Sequence, residues 1–248
     1  MSETGPGTRT VFFADWHLPP QRTAQTEFFL RFVSEACAGA GRVFVLGDLF
    51  AAWVGPRHAA APGHAATLDA LAELARGGSN VTLLRGNRDF LLDAKTARRY
   101  GLALAPKGWR GELDGHRAWL VHGDGLSEND RMHKTLRALT GNFPVSTVVK
   151  AMPLGASDAL AGAYRWLSDR RHARRERKRL GPDARRLARE FLGGTDLIVL
   201  GHWHEPMLEQ AALGMPGKTL VRLGECTDRL ASYAELDDGI IVLKQFTA

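Results

Sequence analysis

Cysteine is scarce in this chain: Cys37 and Cys226 are the only two in 248 residues, far apart and in no metal-binding spacing. That excludes a disulfide framework and a zinc knuckle, and makes a reducing cytoplasm the expected compartment. Long apolar runs are missing as well. No window approaches the ~18 apolar residues of a membrane span, so an integral membrane protein is not expected. The opening Met1 to Thr10 carries Gly5-Pro6-Gly7 where an export signal would have a basic stretch leading into an apolar run, which predicts a chain without such a signal. No internal repeat is evident. A chain of this length can bury one sizeable core with room for an inserted subdomain.

The charge is unevenly distributed. The formal net charge is +6, yet Arg165 to Arg189 alone holds eleven Lys or Arg against three acids, Asp169, Glu176 and Asp183. The remainder is therefore slightly acidic. Such a cationic face can meet an anionic lipid surface, a phosphorylated substrate or nucleic acid; it also reads as a solvated helix in an arginine-rich chain. Nucleic acid is the least expected partner, because the stretch has no rows of alternating basic and aromatic residues to form a stacking platform.

Apolar runs and turn signals alternate through the first half. Val11 to Ala14, Val43 to Leu46 and Val81 to Leu84 read as buried strands, and Gln25 to Ala38 and His64 to Arg76 as helices, which argues an α/β layered core. Asp114-Gly115 and Asp237-Asp238-Gly239 predict hairpins, so antiparallel pairs join the sheets. From Ser127 to Gly193 the pattern is helical with breaks at Pro144, Pro153 and Gly181-Pro182. We read residues 127–193 as a helical cap inserted into a single domain spanning 1–248. Its apolar positions, such as Phe143, Val148, Met152, Leu160 and Trp166, either line a greasy groove or pack the cap on the core.

Five segments carry the chemistry. Asp15-Trp16-His17, Gly47-Asp48, Gly86-Asn87-Arg88-Asp89, His122-Gly123-Asp124 and Gly201-His202-Trp203-His204 each follow directly on an apolar run. Ligands of α/β sheets gather at the carboxyl ends of parallel strands, so one cleft is expected to collect all five. Residues i and i+2 of an extended strand share a face, so Asp15 with His17 and His202 with His204 are expected to form two pincers. Asp48 has two oxygens to bridge two cations, and Asn87 and His122 complete the second centre. Two divalent cations held this way activate water and neutralise a phosphoryl group under in-line attack. Imidazole, carboxylate and amide donors without thiolate suit Mn²⁺ or Fe²⁺, with Zn²⁺ also admissible. Arg88 follows a ligand directly. Its guanidinium does not act as a general acid but fits a non-bridging phosphate oxygen, which favours a phosphoanhydride, whose leaving group needs little protonation.

These segments resemble the calcineurin-like metallophosphoesterases across the whole core. Gly47-Asp48-Leu49-Phe50-Ala51-Ala52-Trp53, Gly86-Asn87-Arg88-Asp89-Phe90-Leu91-Leu92 and a helical insertion after His122-Gly123-Asp124 are similar to the UDP-2,3-diacylglucosamine hydrolase branch of lipid A biosynthesis. Outside that branch a histidine commonly follows the motif asparagine; here it is Arg88. The resemblance implies a four-layer αββα sandwich of two mixed sheets, two Mn²⁺ ions, and cleavage of an acylated nucleotide-sugar pyrophosphate to UMP and an acylated sugar 1-phosphate. Asp15, His17, Asp48 and His204 would hold one metal, and Asp48, Asn87, His122 and His202 the other. Asn87, Arg88 and His122 would serve catalysis. Arg88, Trp53, Phe90, Asp130, Arg165 and Ser168 would contact substrate. The apolar and basic cap would lead the enzyme to the inner face of the cytoplasmic membrane as a peripheral protein. Two features depart from the branch: Arg171 and His172 stand where Asn and Lys are expected, and Trp203 occupies the middle of Gly-His-x-His.

Overall fold

The computed structural model describes residues 9–126 and 181–248. In chain order these form β1 (Thr10–Phe13), α1 (Ala24–Glu35), β2 (Arg42–Val45), α2 (Pro62–Arg76), β3 (Asn80–Leu84), α3 (Ala94–Arg99), β4 (Ala103–Ala105), β5 (Trp109–Leu113) and β6 (His116–Val121). Beyond residue 180 come α4 (Ala184–Leu192), which falls within the 127–193 stretch read as a cap but packs on the second sheet as a core layer, then β7 (Leu197–Leu200), β8 (Met207–Gln210), β9 (Thr219–Arg222), β10 (Leu230–Asp237) and β11 (Ile240–Thr247). One sheet has the order β11-β10-β1-β2-β3-β4 and the other β5-β6-β7-β9-β8. The first runs parallel from β1 to β4 and carries antiparallel β10 and β11 along one edge; the second has a parallel centre, β6-β7-β9, with antiparallel β5 and β8 at its two edges. Both are therefore mixed, as expected.

The period-2 geometry of a strand assigns each residue to a layer. Phe12, Phe44, Leu46, Leu120, Val199 and Val221 face the seam between the sheets. Their neighbours Val11, Phe13, Val43, Val45, Val81 and Leu83 face the other way, against Phe29 and Phe32 of α1 and Leu68 and Leu71 of α2. On the far side, Trp119, Ile198, Leu200 and Leu220 of the second sheet meet Leu187 and Phe191 of α4. Helix, sheet, sheet and helix thus stack in four layers. Central strands covered on both faces explain why their sequences read as continuous apolar runs.

Local signals fix the ends of these elements. Thr23 caps α1 through a reciprocal box with Thr26, Pro62 opens α2, and the Asp183 carboxylate accepts from Arg185 N and Arg186 N to start α4. Both expected hairpins form, with positive φ at Asp114-Gly115 and Asp238-Gly239, the backbone that two-residue hairpin turns demand. The sequence pattern does not reveal α3, β4, β8 or β9. Each spans six residues or fewer, too short for a periodicity to stand out, and β8 is a half-exposed edge. Among the described residues no helix is long and apolar enough to cross a membrane.

Register places the active loops. Phe13 pairs with Val45 and Val45 with Leu83 in one sheet; Val121 pairs with Leu200 and Leu200 with Arg222 in the other. The segments after β1, β2, β3, β6, β7 and β9 therefore leave the two sheets side by side.

Candidate metal centre

Where the strands stop, the backbone turns left-handed. Asp15, His17, Asp48, His202 and His204 all have φ between 49° and 75°, and they are five of the nine non-glycine residues with positive φ among those described. This corrects the expectation of extended pincers: β1 ends at Phe13 and β7 at Leu200, so the paired ligands lie beyond the strands in a conformation costing about 1–2 kcal/mol each. Only a surrounding structure that over-determines them keeps such residues in place.

That surrounding is tight. Asp15 N donates to Gly47 O and His17 N to Asp48 O, tying the first loop to the second. A methyl group on Gly86 would overlap the Asp48 carboxylate, and one on Gly47 would sit 2.5 Å from Gly86 N, so the second and third loops touch through glycine. Asp89, wholly buried, accepts from Gly86 N at 2.7 Å and Leu49 N at 2.9 Å. It braces those two loops through both oxygens.

Five of the seven expected donors fall in two close triads. Ligand atoms of Asp15, His17 and His204 lie within 4.8 Å of one another, as do those of Asp15, Asp48 and His122. Asn87 Oδ1 is 3.1 Å from His122 Nε2, and the His202 ring centroid is 5.1 Å from that of His122. Both carboxyl triads share Asp15, whereas the resemblance puts Asp48 between the cations. Asp48 also spans the halves, 3.3 Å from His17 Nε2 and 3.6 Å from His122 Nε2.

The chemistry of this set fits divalent cations. Asp15 Oδ1 is a buried carboxylate oxygen that accepts no hydrogen bond. The atoms around it, His17 Nε2 at 3.9 Å and His204 Nε2 at 3.5 Å, are themselves metal donors. An anionic oxygen so placed is costly unless a cation answers it. Proton affinities tell the same story. Burial opposes charging of Asp48, yet His122, His17 and Arg88 hold its carboxyl far below the ordinary range. Burial likewise opposes a charged His204, but the Asp15 and Glu225 carboxylates outweigh it and push the imidazole up to about 10.

Arg88 belongs to the same cluster. Its backbone N donates to Asp48 Oδ1 at 2.7 Å, and its Nε lies 3.6 Å from Asp48 Oδ2 with the side chain one-tenth exposed. Trp53 is buried with its ring tilted against Phe50, centroids 4.8 Å apart, while its backbone N donates to Arg88 O; Phe90 is partly buried against the same core. Asp130, Arg165 and Ser168 lie outside the described residues.

One residue of the site escapes the sequence reading. Glu225, after β9, places its carboxylate 3.4 Å from His17 Nδ1 and 3.3 Å from His204 Nδ1. A signal existed. Leu220-Val221 followed by Gly224-Glu225 repeats the pattern of apolar run, glycine and acid, but Arg222 shortens the run.

Fold and site together define a metallophosphoesterase. A family profile for calcineurin-like phosphoesterases matches residues 8–206, and the chain belongs to that family of hydrolases. Over nearly full length it is similar to proteins named UDP-2,3-diacylglucosamine hydrolase. The one from Stenotrophomonas maltophilia strain K279a is 34% identical over 93% of this chain and 95% of its own; that from Xanthomonas oryzae pv. oryzae strain PXO99A is 32% identical over 96% and 98%. A solved archaeal phosphodiesterase aligns over 97% of this chain and 99% of its own at 11% identity and a TM-score of 0.49, too distant to add to that assignment.

Proposed function

We propose that this hydrolase cleaves the pyrophosphate of a UDP-diacylglucosamine-type substrate, releasing UMP and an acylated sugar 1-phosphate. The observation that carries the reading is Arg88, a guanidinium fixed against Asp48 at the metal cluster, taken with the full-length likeness to hydrolases named for such a substrate. A guanidinium in that position stabilises charge on a phosphoryl oxygen and gives up no proton, so it serves a bond whose leaving group is already a good one.

Asp15, His17, Asp48 and His204 would hold one divalent cation, and Asp48, Asn87, His122 and His202 the other, Mn²⁺ being the preferred ion. When bound, the pair supplies Lewis acidity and an activated water. The chain's own residues do the rest. Asp48 orients Arg88 by accepting its backbone N–H, and Leu46 O, 2.9 Å from His122 Nδ1, fixes that ring so that Nε2 faces the cluster. In this reading Trp53 and Phe90 shape the apolar wall beside Arg88, and Asp130, Arg165 and Ser168 of the cap contact substrate. The exposed Arg185, Arg186 and Arg189 of α4 continue the basic stretch that would draw the protein to an anionic bilayer as a peripheral enzyme.

The test is a substrate panel with Mn²⁺-loaded protein, comparing the diacylated UDP-sugar with its deacylated form. UMP release from the acylated compound alone is expected. Equal rates on both would favour a soluble nucleotide, phosphoprotein or nucleic acid substrate.

A further inference from the structure

We propose that Glu225 is a positioning residue that makes His17 and His204 one pre-set, two-pronged ligand for the first cation; this rests on the metal-binding reading above. An imidazole has two nitrogens on opposite edges of its ring, and a neutral ring carries its proton on only one of them. In both rings Nδ1 faces Glu225, at 3.4 Å and 3.3 Å, and Nε2 faces Asp15 Oδ1, at 3.9 Å and 3.5 Å. A carboxylate at ion-pair distance from both Nδ1 atoms favours the proton on that edge of each ring and leaves both Nε2 lone pairs aimed at the metal side. Its two oxygens are divided between the rings, Oε1 to His17 and Oε2 to His204, so neither can reorient without losing its partner.

The backbone makes this a designed junction. Glu225 N donates to His204 O, and the next residue, Cys226, donates its N–H to Asp15 O while its buried thiol lies 3.5 Å from Ala14 O. The segment after β9 thereby links the ligand loop of the first sheet to that of the second. The imidazole rings it holds are 5.2 Å apart. With a side chain about half exposed, Glu225 can be altered without opening the core.

The experiment uses the full-length protein and two variants, E225A and E225Q, with unfolding curves as a check on fold. Metal stoichiometry and affinity are read by chelator competition and elemental analysis. Histidine ring nitrogens are read by ¹⁵N NMR on Zn²⁺-loaded protein, which reports which nitrogen carries the proton. E225A is expected to weaken one of two bound equivalents 10- to 100-fold while sparing the other, the usual cost of losing a carboxylate behind a ligating histidine. E225Q, with one acceptor oxygen for two donors, is expected to fall between E225A and the native chain. His17 and His204 should carry Nδ1 protons in the native spectrum and lose that uniform pattern in E225A. If the native chain takes up two equivalents and E225A holds both as tightly with unchanged tautomers, the positioning role is refuted and the metal reading stands. A native chain that takes up no divalent metal would overturn both.

Discussion

The contact between the second and third loops can be separated into two costs by three glycine substitutions. Gly47→Ala combines a left-handed φ of +89° with a Cβ set 2.5 Å from Gly86 N and 2.7 Å from Gly86 Cα. Gly86→Ala has no such φ but drives its Cβ into the Asp48 carboxylate and backbone nitrogen, whereas Gly78→Ala has φ +102° and nothing within 4 Å. Left-handed backbone costs an L-residue about 1–2 kcal/mol. Overpacking against backbone that cannot retreat costs typically 1–3 kcal/mol. Gly78→Ala should therefore lose about 1–2 kcal/mol, Gly86→Ala about 2 kcal/mol, and Gly47→Ala about 3–4 kcal/mol. For a chain of this size each kcal/mol lowers Tm by roughly 2–4 °C, so Gly47→Ala should unfold about 6–16 °C below the native protein. Circular dichroism melting measures the shift, and elemental analysis measures metal content, which should fall for Gly47→Ala and Gly86→Ala and hold for Gly78→Ala. Were Gly47→Ala no less stable than Gly78→Ala, with full metal content, close backbone approach would not be what shapes this site.

Two substitutions divide metal binding from transition-state stabilisation: His122→Ala should abolish turnover and lower metal content, while Arg88→Ala should keep its metal and turn over about 10²–10³-fold more slowly. Loss of metal from Arg88→Ala would show that the arginine organises the ligands. A further prediction concerns acid stability far from the site. Asp196 is held at about 2 by a hydrogen bond from Lys218, opposed by burial and reinforced by the Arg117 backbone and side chain. A carboxyl depressed in the folded state contributes stability above its unfolded value near 4, lost as pH falls towards 2. Solvent screening limits this to about 1 kcal/mol. Asp196→Asn should be less stable by that amount at pH 7 and match the native protein only below pH 2, as urea titrations at several pH values would show.

The legible part of the site was legible because its signals are local. An apolar run followed closely by Asp, Asn or His marks a strand end carrying a donor, and Asp15, His17, Asp48, His122 and His204, the five donors of the two close triads, all stand at such junctions. Alternate residues of those same runs, such as Phe12 and Phe13, or Phe44 and Val45, were both apolar, which already implied a sheet covered on two sides. Donor chemistry needed no fold: carboxylate, amide and imidazole without thiolate imply hard or borderline cations whatever holds them.

Tertiary packing decided what depends on distance through space. The left-handed backbone at Asp15, His17, Asp48, His202 and His204 follows from loops locked to one another by hydrogen bonds, and no residue type in those segments demands it. Asp89 stands one residue from Arg88 in a ligand-rich segment, yet two backbone N–H groups claim both its oxygens. Glu225 meets His17 from the far end of the chain because the register of two stacked sheets brings the ends of β1, β7 and β9 together. Sequence specifies which groups are available for bonding; only folding sets which of them come within reach, since hydrogen bonds and ion pairs act over a few ångströms.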